Sequence, residues 1–334
     1  MVDGRVIMED LKQVKEKLMD IYKGEEIQKN LENKNDQRDI IYYYTSVFAL
    51  KNILENETLW FSSGKYMNDS TDLNYSIGLI REISEEILVS EREKCCDNGL
   101  EMYEKDVFFK KKVELLIEKI DNKLNNVFLL STSKNKDSLT LWANYSTHDG
   151  YNIGMEKTKM KSMIEGTEKF SIFCYDVIYD QKKQNEIIRK YISILYNDLR
   201  PKYLLEKDRE ARDYVNGEII ESIADQLSIY SIFIKNPSFK QEEEYRIALV
   251  NLKDKDIRDI LKFRISNGVF IPYIEVKFND SENSEVRSLP LKEVTIGPKN
   301  SLDIAEYGLK NMLEMENYNI DKIAINKSSI PLRY

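Results

Sequence analysis

The run Ile40-Ile41-Tyr42-Tyr43-Tyr44-Thr45 contains only β-branched and aromatic residues, and such a run favours a strand over a helix. On a strand Tyr42 and Tyr44 face one way and Tyr43 the other, so the three tyrosines cannot share one core. Read from the residues alone, this is first an aromatic core strand; its rival is a flat wall for a planar ligand. The strand opens a region in which strands and helices alternate without a regular βαβ rhythm, which points to an α+β fold rather than a doubly wound sheet.

Further strands are expected at Thr58–Ser62, Val127–Ser133, Tyr151–Met155, Phe170–Tyr179, Glu243–Val250, Val269–Phe278, Leu291–Ile296 and Lys322–Asn326. Helical periodicity covers Val47–Glu55, Leu73 to about Val89, Phe108–Leu124 and Ser138–Tyr145. Gln181–Ile234 reads as a charged helical insertion broken at Pro201, and Ser301 caps a helix running to about Met315. Ahead of these, Ile7, Leu11, Val14, Leu18 and Ile21 form an apolar stripe on a helix ending near Gly24. That helix is expected to pack on the body or to form a homodimer contact. The domain reading is therefore residues 1–39 as helix and linker, with 40–334 as a single domain carrying the insertion at about 181–234.

Composition narrows the chemistry. A net charge of −8, with 58 acidic and 50 basic residues, gives no broad nucleic-acid surface. The chain has three cysteines, Cys95, Cys96 and Cys174, and one histidine, His148. That leaves no CxxC pair, no disulfide framework and no two-histidine metal site; a magnesium site built from oxygen ligands alone stays open to these residues, and the expectation is no metal. No apolar signal core and no run of roughly 20 apolar residues is present, so the expected location is the cytoplasm and no membrane partner is expected. Chemistry must come from carboxylates, tyrosines, serines and arginines.

Four clusters stand out beyond the tyrosines. Phe61-Ser62-Ser63 followed by Met67-Asn68-Asp69 makes a ligand rim or an ordinary turn. Ser131-Thr132-Ser133 ends a strand, and Asp137-Ser138-Leu139 then leads into a helix carrying Trp142 and Tyr145, with Ser138 as its cap. Trp142 is weighed evenly as core anchor and pocket wall. Glu242, Glu244 and Arg246 are expected on one face of a strand, with Tyr245, Ile247 and Leu249 on the other. The rival to a catalytic glutamate there is a solvated edge with a surface ion pair. Ile296-Gly297-Pro298-Lys299-Asn300-Ser301 enters a helix, where a plain cap outweighs a phosphate site.

Taken in order, Ile41–Ser46, Leu59–Ser63, Met67–Asp69, Asp137–Trp142, Glu242–Arg246, Ile271-Pro272-Tyr273, Ile296-Gly297-Pro298 and Ile330–Arg333 resemble a bacterial family known as domain of unknown function 2971. That family resembles the ADP-ribosyltransferase superfamily, which implies an ADP-ribosyltransferase-like mixed sheet with helical insertions and NAD as substrate. In the matched motif Tyr43 stands where the family has histidine, followed by Tyr44 and Thr45. Ser131-Thr132-Ser133 is similar to the superfamily's serine motif, and Glu242 and Glu244 are similar to its Glu-x-Glu pair.

The resemblance implies catalytic roles for Glu244 and Glu242. It implies ligand contacts from Tyr43, Tyr44, Thr45, Ser62, Asn68, Asp69, Ser131, Ser133, Ser138, Trp142 and Arg246. The function expected is NAD cleavage at the nicotinamide–ribose bond, with ADP-ribosyl transfer to a protein or nucleic acid, or to water. By analogy of fold alone, a role in bacterial conflict or phage defence follows. The rivals are a nucleotide sensor of the same fold without catalysis, and an interaction protein with no ligand.

Overall fold

The computed structural model describes residues 24–32, 36, 38–67, 72–94, 99–146, 149–164, 169–198, 209–251, 255–266, 268–278, 287–300 and 302–331. The expected first helix at residues 7–21, the cysteines at 95 and 96, His148, and the candidate residues Asn68 and Asp69 lie outside them.

The chain divides into two compact units. One comprises residues 1–32, 68–125 and 178–237; the other, residues 33–67, 126–177 and 238–334. The helical stretch read as an insertion thus shares a unit with a second one, residues 68–125.

The first unit is helical: α1 (Gly24–Leu31), α3 (Asp72–Lys94), α4 (Gly99–Leu124), α7 (Gln181–Asp198) and α8 (Arg209–Phe233). Along α3 the buried residues Leu73, Ser76, Leu79, Ile80, Ile83, Ser84, Ile87 and Leu88 recur at three- and four-residue spacing, the stripe a half-buried helix requires. Helix α8 packs against α1, α3, α4 and α7. It is apolar on several faces, with Ile219, Ile220, Ile223, Leu227, Tyr230 and Phe233 all buried. The expected polar linker from Glu25 is instead α1, whose Ile27 and Leu31 are buried; two apolar residues one turn apart suffice to seat so short a helix.

The second unit holds a mixed ten-stranded sheet: β1 (Ile40–Thr45), β2 (Thr58–Ser63), β3 (Val127–Ser133), β4 (Tyr151–Glu156), β5 (Ser171–Asp176), β6 (Glu244–Val250), β7 (Leu261–Ser266), β8 (Val269–Lys277), β9 (Leu291–Ile296) and β10 (Ala324–Lys327). Its helices are α2 (Val47–Asn56), α5 (Leu139–Tyr145), α6 (Lys157–Ile164) and α9 (Leu302–Met315). The order is β10-β9-β4-β1-β3-β2-β8-β7, with β6 also on β3 and β5 outside β6. Among the strand pairs of the described residues β9 and β10 run parallel and the others antiparallel. Strand β7 and helix α6 were not foreseen. Leu261, Phe263 and Ile265 alternate with Lys262, Arg264 and Ser266, the period of a strand, although at this edge Phe263 and Ile265 are exposed.

The sheet forks at β3. One edge of β3 pairs along its whole length with β6, from Val127↔Val250 to Ser133↔Glu244. On the other edge β1 meets β3 only at Tyr42↔Ser133, and β2 only at Ser62↔Leu129 and Ser63↔Phe128. Between these contacts, Leu130, Ser131 and Thr132 pair with β6 alone. One face of the sheet carries the main core, including Ile41, Phe61, Leu130, Ile153, Tyr245, Ile247 and Val294. The period of two then sends Tyr42, Tyr44, Ser131, Ser133, Glu244, Arg246, Asn152, Glu293 and Thr295 to the opposite face.

Candidate functional site

Register builds the site. Tyr42, Ser133 and Glu244 lie side by side on β1, β3 and β6, and Ser131 lies directly opposite Arg246. Glu244 and Arg246 share a face as the alternation requires. Arg246 Nε donates to Glu244 Oε1 at 2.7 Å and Nη2 to Oε2 at 3.0 Å, a bidentate pair. Arg246 is 0% and Glu244 4% exposed. The expectation of a solvated edge is therefore corrected: β6 lies inside the sheet between β3 and β5, and the ion pair is buried.

Glu242 is not on the strand. It ends a 3-10 segment, Pro237–Glu242, and Glu243 then takes φ +42° before β6 begins. That left-handed residue breaks the alternation that would have aligned the two carboxylates. The turn is held by Lys134 N–H donating to Glu243 O at 2.9 Å, and by Arg38 and Asn135 donating to its carboxylate. Glu242 is still drawn to the same end of β3. Its carbonyl accepts Ser133 Oγ at 2.6 Å, and its carboxylate accepts the Tyr145 hydroxyl at 3.0 Å. Tyr145 is 40% exposed, so one end of this arrangement reaches solvent.

The two serines differ. Ser133 Oγ is used twice, donating to Glu242 O and accepting Asn135 N–H at 2.9 Å. Ser131 Oγ is buried opposite Arg246 and has no hydrogen-bond partner. An unpaired buried hydroxyl costs on the order of 1–3 kcal/mol, so Ser131 keeps its bonding capacity for another group.

Tyr44 and Trp142 form a second cluster. Their rings meet edge to face at 4.8 Å, packed with Leu141 and flanked by Tyr42 and Ile330. Trp142 is 0% exposed and donates Nε1–H to Asp137 Oδ1 at 2.7 Å, which makes it a core anchor and closes its faces to a ligand. The Tyr44 hydroxyl donates to Asn135 O and accepts Ser138 N–H; burial raises its pKa well above the ordinary tyrosine value. Ser138 occupies the cap position of α5, but its side chain makes no capping bond. Its backbone is held by Tyr44 instead.

Asp137, named in the sequence with its cluster but given no role, is a hub. Besides Trp142 it accepts Ser328 Oγ at 2.6 Å, Ser329 N at 2.7 Å and Ser329 Oγ at 2.9 Å. Burial pushes its pKa up, but the donors from Ser328, Trp142 and Ser329 outweigh that and hold it below the ordinary carboxylate value. Its partners near the carboxyl end are some 190 residues away, and no local pattern announces them.

Tyr43 and Ser62 belong to a third group. Tyr43 packs against the main core, and burial raises its pKa, opposed by the positive charge of Arg264. Arg264 Nη2 donates to Ser62 Oγ at 3.2 Å. Beyond Ser62 on that face, Trp60 is 39% exposed, stacks on Tyr273 at 4.5 Å and donates to Glu275. Thr45 is buried at the end of β1 opposite Tyr151.

Open depressions are found on the helical unit, one lined by Ile77, Arg81, Lys110, Glu114 and Asp121, another by Asn30, Asp180, Lys183 and Lys190. Neither contains a candidate residue. Among the described residues no group of three or more His, Cys, Asp or Glu side chains is placed to hold a metal ion. No helix among them is long and apolar enough to cross a membrane.

No curated protein matches the chain, and no solved structure does. Residues 141–247, which include Trp142, Glu242, Glu244 and Arg246 but not Tyr43, Ser62 or Ser131, match the family described as protein of unknown function (DUF2971).

Proposed function

We propose that this protein is an NAD-cleaving enzyme of ADP-ribosyltransferase type, with its reactive groups at the fork of the sheet. The observation that carries this reading is the juxtaposition of Ser131 and Ser133 on β3 with Glu244 and Arg246 on β6. A serine strand beside a Glu-x-Glu segment is what the resemblance to that superfamily calls for, and Arg246 orients Glu244. The unpartnered Ser131 hydroxyl and the gap between β1 and β2 add support.

In this reading the bond between the ribose anomeric carbon and the nicotinamide nitrogen breaks, and its electron pair leaves with nicotinamide. The sugar passes through an oxocarbenium-like state. Glu244, fixed by Arg246, stabilises the developing positive charge. Ser131 hydrogen-bonds the substrate. Glu242, oriented by Tyr145, takes the proton of the incoming nucleophile, water or an acceptor side chain. Trp142 has no part in stacking, because it is buried. Toxic NAD consumption would suit a role in bacterial conflict or phage defence, on analogy of fold alone.

A second reading, a nucleotide sensor without turnover, is favoured by one observation: Glu244 is 4% exposed and bonded through both oxygens to Arg246. Nicotinamide release from NAD separates the two. The enzyme releases it, and Glu244→Gln and Glu242→Gln lower the rate; the sensor binds NAD saturably and releases none.

A further inference from the structure

Away from the fork, two buried side-chain oxygens lie side by side without a hydrogen-bond partner: Asn152 Oδ1 and Thr295 Oγ1. The residues face each other directly on β4 and β9 and are 0% and 1% exposed. Tyr44 and Asn326 continue the row on either side, on β1 and β10. Directly opposed residues on antiparallel strands hold their Cβ atoms about 5 Å apart, room for a small bridging group between their polar tips. Asn152 is not free to turn, because its Nδ2 donates to Lys136 O at 2.7 Å.

Neighbouring charges decide the class of that group. Glu293, two residues before Thr295 on the same face, accepts the Tyr42 hydroxyl at 2.9 Å, Asn326 Nδ2 at 2.8 Å and the Lys136 ammonium. Lys136 and Glu293 are paired and neutralise each other, so neither leaves an excess charge to hold an ion. A small neutral group that both donates and accepts is left.

We infer that one buried water molecule bridges Asn152 Oδ1 and Thr295 Oγ1. It donates to the Asn152 oxygen and bonds the Thr295 hydroxyl. The water completes the seat of Lys136 and Asp137 over the sheet, linking β4 and β9 to the segment that orders Trp142 and Ser328.

A high-resolution crystal structure of the full chain tests this. A single water peak about 2.7–3.2 Å from both oxygens supports the site. An empty site, a direct bond between the two side chains, or a peak at metal–oxygen distances of about 2.3–2.6 Å overturns it. In solution, Thr295→Val and Asn152→Ala each lower the unfolding midpoint. If one water serves both, the double variant falls no further than the worse single variant. Additive shifts overturn the bridge, and the crystallographic result stands even where a variant does not fold.

Discussion

Arg246 and Glu244, two residues apart on β6, face the same side of the sheet and join through two hydrogen bonds while almost wholly buried. Such a pair is costly to break from one side. Arg246→Leu is expected to destabilise the protein by about 3–5 kcal/mol, because the carboxylate stays buried without its counter-charge. Replacing both residues with methionine recovers most of that loss. Denaturant unfolding of Arg246→Met, Glu244→Met and the double variant measures the difference, and a loss in the double variant equal to the sum of the two single losses would contradict a coupled pair.

The two tryptophans report opposite environments. With Trp142 at 0% and Trp60 at 39% exposure, the Trp60→Phe variant, which emits from Trp142 alone, should give blue-shifted fluorescence that acrylamide barely quenches. Trp142→Phe should leave a redder, quenchable signal from Trp60. The reverse pattern would remove Trp142 from the core.

Asp137 predicts a pH dependence with a definite sign. Its folded pKa lies below the unfolded one, so its contribution is complete above the unfolded value of about 4 and is lost as pH falls through the lower folded value. Stability should therefore drop on acidification, and Asp137→Asn should flatten that part of the curve while costing stability at neutral pH. Unfolding midpoints from pH 7 to 2 for both proteins measure this; parallel curves would show that Asp137 titrates alike in both states.

Gly154 is required by its neighbours. A Cβ there would lie 2.5 Å from Glu293 Cγ and 3.2 Å from Tyr42 Cε1. Glu293 is pinned by Tyr42, Lys136 and Asn326 and cannot swing away. Gly154→Ala should cost about 1–3 kcal/mol, measured by thermal unfolding. A neutral effect would mean that Glu293 has another place to go.

Much of the fold was legible because burial writes a period into sequence. Ile40–Thr45, Val127–Ser133 and Leu291–Ile296 match their strands end for end, and Tyr245, Ile247 and Leu249 enter the core together, as their alternation requires. β7 was missed although Leu261, Phe263 and Ile265 alternate with polar residues as a strand requires. Glu242 was misplaced because a left-handed Glu243 is invisible to a period-of-two argument. Within the site, the Glu244–Arg246 pair was readable at a separation of two. The reach of Arg264 to Ser62, and of Asp137 to Ser328, depends on strand order that one sequence does not encode locally.

The most direct test of the account is nicotinamide release from NAD by the purified full-length protein, beside Glu244→Gln checked for a native far-ultraviolet spectrum. The account predicts release by the wild type and its loss in the folded variant. No release by the folded wild type, even with cell extract supplied as acceptor, would contradict it.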